Sequence, residues 1–210
     1  MIKVLIADDH PVVRKGLKTI LKDAPEIKAD DEASDGLQVM EKIREEEYDV
    51  LLLDLSMPNL DGLEAISRIK AEKPELAILV ISMNPEEVFG MRALKLGASG
   101  YLSKDSAPEQ LINAIRRVAA GKVFVSQTLA EMLALNVSKG SPQLPHEMLS
   151  DREYQVMIML AKGKSLKQIA TELSLSVKTV STHRTHILQK LKLENNAQIV
   201  TYSLQNKLLS

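Results

Sequence analysis

The sequence predicts a doubly wound α/β domain with a parallel five-stranded sheet, followed by a smaller all-helical domain. Three observations carry this reading. Over roughly the first 125 residues, short apolar runs alternate with segments of helical spacing, the pattern of βαβ units with helices on both faces of a sheet. After residue 149 the alternation gives way to helices opened by capping signals. Between the two lies a stretch containing two prolines, a glycine and two serines, the composition of a linker.

The strands are expected at Val4-Leu5-Ile6-Ala7, Val50-Leu51-Leu52-Leu53, Ala77-Ile78-Leu79-Val80-Ile81 and Gly100-Tyr101-Leu102. Each is a continuous apolar run, as strands buried on both faces require. A further strand near Ile27 to Ala33 contains Lys28, Asp30, Asp31 and Glu32, which places it at an edge or makes it short. Helical spacing runs from Val12 to Leu21, Leu37 to Ile43, Leu63 to Ile69, Val88 to Leu96 and Leu111 to Val118. These elements define a first domain over 1–122. A linker with a short helix, about Thr128 to Leu135, is expected over 123–145, and a second domain over 146–210.

Composition narrows the functional classes. The 210 residues are 45% hydrophobic and 26% charged, which suits ordinary globular domains. With no cysteine, a disulfide framework and a thiolate zinc site are both excluded. The start becomes doubly acidic at Asp8-Asp9, too early for the apolar region of a signal peptide, and no run reaches membrane-span length. A cytoplasmic protein without membrane partners is expected. Residues 1–125 hold 17 Lys/Arg against 22 Asp/Glu, whereas residues 126–210 hold 10 against 6. The basic second part suggests a polyanionic partner.

In open α/β sheets the working site lies outside the carboxyl ends of the strands. The first strand ends in Asp8-Asp9, the third in Asp54 and the fourth in Ser82, and Lys104 follows the fifth. Any one has an ordinary reading, since Asp caps helices and Lys is usually solvated. Together they place three carboxylates, a hydroxyl and an ammonium on one rim. Clustered carboxylates repel one another unless a cation or proton intervenes, and hard oxygen ligands suit Mg²⁺. Asp54 is then the candidate nucleophile toward a phosphoryl group, with Lys104 pairing the added charge and Ser82 donating a hydrogen bond to a phosphoryl oxygen.

Asp8-Asp9, Asp54-Leu55-Ser56-Met57-Pro58 followed by Asp61-Gly62, Ser82, and Ala98-Ser99-Gly100-Tyr101-Leu102-Ser103-Lys104 resemble the receiver domain of bacterial response regulators, a flavodoxin-like fold. The resemblance covers about 1–122. It implies that Asp54 accepts phosphate from a partner histidine kinase. It also implies that Mg²⁺ is held by Asp9, Asp54 and the main-chain carbonyl of Ser56, with Asp8 assisting. Ser82 and Tyr101 match the family's switch pair, in which the aromatic ring turns inward when the hydroxyl engages phosphate. Tyr101 also reads as a half-buried strand residue. His10 matches a common variant and is assigned no catalytic role.

In the second domain, Ser150-x-x-Glu153 and Ser165-x-x-Gln168 match the capping box, and Asn195-x-x-Gln198 marks a third helix start. Gly163 closes the first helix. The second, about Leu166 to Leu173, passes through Ser174-Leu175-Ser176 into a third from Val177 to about Leu191, a helix-turn-helix. On that third helix, spacing at 100° puts Lys178, Thr182, Thr185, Gln189 and Lys192 on one arc and Val177, Val180, Ile187, Leu188 and Leu191 on another. One face is core; the other is polar and of a kind that reaches phosphates and base edges, or is simply solvated.

Leu149-Ser150-Asp151-Arg152-Glu153, Ala161-Lys162-Gly163-Lys164-Ser165, Ile169-Ala170 and Val177-Lys178-Thr179-Val180-Ser181-Thr182-His183 resemble the output domain of the NarL/FixJ subfamily, the LuxR type. The resemblance implies a four-helix DNA-binding domain whose last helix, about Ala197 to Leu208, supplies a dimer contact. A homodimer of the phosphorylated chain on double-stranded DNA is the expected assembly. The residues expected at the DNA are Lys178, Thr179, Ser181, Thr182, Arg184, Thr185 and Gln189. Ser181 stands where many members carry Lys, and Leu166-Lys167 where many carry Ser or Thr followed by Asn and Lys.

Other motifs fall away. Gly163-Lys164-Ser165 lacks the glycine five residues earlier that a P-loop needs, because Ile158 stands there. His183-x-x-His186 has no third convergent ligand for zinc. A haloacid-dehalogenase type phosphatase wants a second Asp two positions after the nucleophile, where Ser56 stands. The sequence thus predicts a regulator, not an enzyme beyond assisting its own phosphorylation and dephosphorylation; a module acting through protein partners alone is the other rival.

Overall fold

The computed structural model describes residues 1–57, 62–83, 86–139, 144–173, 175–206 and 208–209. Pro58 and Asp61 of the acidic-loop motif, residues 140–143 of the expected linker and Ser174 of the expected turn lie outside the described residues. The chain divides into two compact units, Met1–Ser141 and Pro142–Ser210.

In the first unit, strands β1 (Ile2–Ala7), β2 (Ile27–Ala33), β3 (Val50–Leu53), β4 (Ala77–Ser82) and β5 (Gly100–Ser103) form one parallel sheet in the order β2-β1-β3-β4-β5. Helices α1 (Pro11–Leu21), α2 (Gly36–Glu45), α3 (Gly62–Glu72), α4 (Glu86–Lys95) and α5 (Pro108–Ala119) connect them. Proline at the first turn opens α1 and α5, where its missing N–H costs nothing. Asp35 caps α2 by accepting from the Gln38 N–H at 3.0 Å.

The apolar runs explain the centre of the sheet: every residue of β3 and β4 is buried. Each buried Leu, Ile or Val contributes about 1.5–3 kcal/mol. Strand β2 takes an edge, as its acidic residues require, yet it runs a full seven residues. Its charge is met by α1, for Glu32 pairs with Arg14 Nε at 2.6 Å and with Lys18 Nζ at 2.6 Å.

The ladder continues past the strand ends and fixes the rim. The Asp54 N–H donates to the Ala7 carbonyl at 2.9 Å, and the Lys104 N–H donates to the Ser82 carbonyl at 3.0 Å. The functional residues are thus placed by main-chain pairing, not by loops alone.

The segment after α5 differs from its expected form. Phe124 bridges Gly100 on the open edge of β5, with its carbonyl accepting from the Tyr101 N–H at 3.2 Å and its own N–H donating to Ser99 at 2.9 Å. Helix α6 (Gln127–Lys139) then covers the expected helix and extends four residues beyond Leu135. Its Leu129 is fully buried and packs on Gly90 of α4, where an added Cβ would lie 2.7 Å from the leucine.

The second unit holds a 3-10 turn (Pro145–Met148) and helices α7 (Asp151–Ala161), α8 (Leu166–Glu172), α9 (Val177–Leu191) and α10 (Asn196–Gln205). Both capping boxes form, and Asn195 caps α10 through the Gln198 N–H at 3.1 Å. Gly163 takes a positive φ of 81° after α7, the left-handed stop that glycine tolerates best. The final helix ends at Gln205 rather than near Leu208, whose N–H instead donates to the Ser203 carbonyl at 2.9 Å.

Candidate functional site

At the carboxyl end of the sheet, Asp8 and Asp54 are each 2% exposed, and Ser82 is fully buried. Lys104 Nζ lies 2.6 Å from Asp8 Oδ2 and 2.9 Å from Asp54 Oδ2, so one ammonium neutralises two buried carboxylates. Burial pushes the Asp54 carboxyl above the ordinary carboxylate range; Lys104 opposes that push and Asp8 adds to it. For Lys104, burial works against the charged form, but Asp54 and Asp8 outweigh it and hold its pKa above the ordinary lysine value.

The free valences in this pocket are specific. Asp8 Oδ1 accepts the His10 main-chain N–H at 2.8 Å, and its other oxygen holds Lys104, so Asp8 is positioned from both sides. Asp54 Oδ1 is buried without a hydrogen-bond partner, and Asp9 Oδ1 is buried with His10 Nδ1 2.6 Å away. Asp8, Asp9, His10 and Asp54 each offer a ligand atom within 4.8 Å of the others. Clustered carboxylate oxygens with one buried and unpartnered are a donor set that fits a hard divalent cation.

The structure thus brings Asp8, Asp9, Asp54 and Lys104 together, with Ser82 tied to Lys104 through the main chain. Ser56 follows two residues after Asp54 and is partly exposed. Tyr101 sits on β5 with its side chain buried, 1% exposed, so the half-buried alternative does not hold. Of two further neighbours, the sequence singled out His10 without a catalytic role and did not point to Arg14. His10 places Nδ1 2.6 Å from Asp9 Oδ1, and Arg14 donates to the Asp8 carbonyl at 2.7 Å. The signal for His10 was its adjacency to the acidic pair; for Arg14, only the helix geometry of α1 reveals it.

On α9 the division into faces mostly holds. Val180, Ile187 and Leu191 are buried, while Lys178, Thr179, Thr182, Thr185 and Gln189 are exposed. Val177 departs from the expected core arc at 47% exposed, because it is the first residue of the helix and lies beyond its packed neighbours. Lys192 is also off the arc, since it leaves the helix in the left-handed conformation at φ 56°. Ser181 and Arg184 are partly covered, and Arg184 Nε donates to Asn196 Oδ1 at 2.7 Å. Beneath α9, buried Glu153 joins the cap of α7 to Lys190 Nζ at 2.6 Å.

Residues 4–116 match the response regulator receiver domain. The chain belongs to the response-regulator family. Residues 147–203 match the luxR family of bacterial regulatory proteins, which makes it a response regulator with a LuxR-type helix-turn-helix output domain. It is similar to the oxygen regulatory protein NreC of Staphylococcus epidermidis, 41% identical over 99% of both chains. It is also similar to the response regulator UvrY of Escherichia coli, 34% identical over 99% of this chain and 96% of UvrY. Among solved structures it resembles RcsB of Salmonella enterica serovar Typhimurium bound to promoter rprA in the presence of phosphomimetic BeF3⁻. That match has 29% identity and a TM-score of 0.62, over 96% of this chain and 98% of RcsB. The regulator is a two-component transcription factor of the NarL/FixJ type, and its family is not one of conventional enzymes. No helix among the described residues is long and apolar enough to cross a membrane.

Proposed function

We propose that a partner histidine kinase phosphorylates this regulator on Asp54, and that the phosphorylated chain binds double-stranded DNA as a homodimer in the cytoplasm. The observation that carries the reading is Asp54 itself: a buried carboxylate with one oxygen held by Lys104 and the other unpartnered. The free oxygen attacks phosphorus, the bond from phosphorus to the kinase imidazole breaks, and the imidazole leaves with that electron pair. Lys104 stays as the counter-charge to the new phosphoryl oxygens. The Ser82 hydroxyl donates to one of them, and Tyr101 holds the inward position that accompanies that bond.

Asp9, Asp54 and the Ser56 carbonyl would hold Mg²⁺, with Asp8 positioned by Lys104 and His10. When bound, the ion neutralises the carboxylates and the incoming phosphoryl group. The same rim assists loss of the phosphoryl group to water, the only catalytic act assigned to the chain. The working division is a receiver at 1–122, a connecting segment at 123–145 and a DNA-binding domain at 146–210. In the last, Lys178 and Arg184 would contact phosphates, and Thr179, Ser181, Thr182, Thr185 and Gln189 the groove. RcsB, a similar protein, has been solved as dimers on DNA, which supports the same mode here.

Acetyl phosphate with Mg²⁺ is expected to add one phosphoryl group to the full chain, read by intact mass. Asp54→Ala is expected to show no increase. Undiminished labelling of that variant would remove Asp54 from the role.

A further inference from the structure

We infer that Thr182 and Thr185 on α9 read the 5-methyl groups of thymine, so that the duplex this regulator selects carries two consecutive A·T pairs opposite them. This rests on the DNA-binding reading above and extends it to base preference.

The threonine hydroxyls on the exposed face of α9 are already committed. Thr182 Oγ1 donates to the Lys178 carbonyl at 3.1 Å, and Thr185 Oγ1 donates to the Ser181 carbonyl at 3.1 Å. Each bond joins a side chain to the carbonyl four residues back, a usual partner of threonine inside a helix. Here the consequence falls on the surface offered to a duplex, because both residues are exposed there beside Lys178 and Gln189. With the hydroxyl hydrogen held inside the helix, each threonine shows the groove a methyl group and an oxygen that can only accept. Thr179 does not join the pair, since its hydroxyl lies 2.8 Å from Ser176 Oγ in the cap of the helix.

One kind of base pair matches both features. In the major groove an A·T pair presents the thymine methyl and the adenine N6 amino donor. A G·C pair lacks the methyl, and its guanine offers O6 and N7, acceptors that meet the threonine oxygen with like polarity. The cytosine N4 amino group satisfies only half of the match. Spacing sets the number of pairs. Three residues of helix advance about 4.5 Å and stacked base pairs about 3.4 Å, so the two threonines face neighbouring pairs.

The test selects duplexes from a random pool with the full chain in acetyl phosphate and Mg²⁺. Single thymines of the selected duplex are then replaced by deoxyuridine, which differs only by the missing methyl. Fluorescence anisotropy should show binding weaken about fourfold at each of two neighbouring pairs, the scale of removing one buried methyl-sized group. Thr182→Ser keeps the hydroxyl and its bond to the Lys178 carbonyl but loses the methyl. It should bind thymine and deoxyuridine equally at one of those pairs while still discriminating at the other, and Thr185→Ser should do the reverse. Selection of G·C at these pairs overturns the assignment. So does discrimination that survives unchanged in both serine variants, because the methyl then acts through the shape of the duplex. A chain that binds duplexes in a salt-dependent way yet treats thymine and deoxyuridine alike refutes the base preference alone. A chain that retains no duplex even at low salt refutes the DNA-binding reading itself, and the preference with it.

Discussion

The two working surfaces of this regulator are built in opposite ways. On the receiver rim, Asp8, Asp54 and Ser82 are buried and already joined through Lys104. On α9, Lys178, Thr182, Thr185 and Gln189 stand exposed on a helix whose opposite face carries the packing. Under the proposed function, the contrast follows from what each surface meets. A phosphoryl group is small and needs charges arranged before it arrives, so the rim takes on the cost of burying them. A duplex brings its own extended charge, so the reading face can remain solvated until contact. Stability and function should therefore be coupled on the rim and separable on the helix.

The largest expected effect tests that coupling. Lys104→Met leaves two carboxylates buried without their counter-charge, and breaking such a cluster costs about 3–5 kcal/mol. Urea unfolding of the full chain should show the receiver transition move by that amount. A shift below about 1 kcal/mol would mean the rim is not the tightly coupled cluster described here. Next comes Gly62→Ala, where a Cβ would lie 2.4 Å from the Leu55 main chain beside Asp54. Overpacking predicts a loss of about 1–3 kcal/mol, with phosphorylation slowed because the Asp54 loop must shift.

The output domain has a buried charge of its own, and it sharpens the comparison. Despite burial, Lys190 and the Ser150 cap hold the Glu153 carboxyl below its ordinary range. A depressed folded value means that this stability is present above the unfolded value near 4.5 and is lost as pH falls through the lower folded value. Glu153→Gln should therefore cost about 1–3 kcal/mol at neutral pH and flatten the acid limb of the output domain's unfolding profile. A variant whose acid limb matches the parent would contradict the sign.

The smallest effect on the fold belongs to Lys178→Ala, which should change stability by less than about 0.5 kcal/mol. Its effect belongs to DNA affinity instead, lowering the slope of log K against log salt by about one phosphate contact. A stability loss comparable to the rim variants would erase the distinction between the two surfaces.

Much of the rim was legible in the sequence because its residues sit at strand ends, and strand ends follow from apolar runs. Asp8, Asp54, Ser82 and Lys104 could be placed together by topology alone. Arg14 could not, because its reach to the Asp8 carbonyl depends on how α1 lies over the sheet. The acidic residues of β2 read as a local oddity until Arg14 and Lys18 met Glu32 across space. The helix expected after the receiver is present as α6, but what it packs on was not legible for a similar reason. Proline and glycine mark where a helix stops, but nothing local reveals that Phe124 pairs with β5 or that Leu129 fits over Gly90. On α9, helical spacing sorted the faces yet misplaced Val177, since periodicity ignores where a helix begins.

The central claim is that chemistry at Asp54 governs the exposed face of α9. Fluorescence anisotropy of the full chain on a duplex selected by that chain from a random pool, with Mg²⁺ and with or without acetyl phosphate, tests it most directly. Binding should tighten on phosphorylation in the parent chain and stay unchanged in Asp54→Ala. Equal tightening in Asp54→Ala, or none in a parent chain shown by mass to be phosphorylated, would contradict the account.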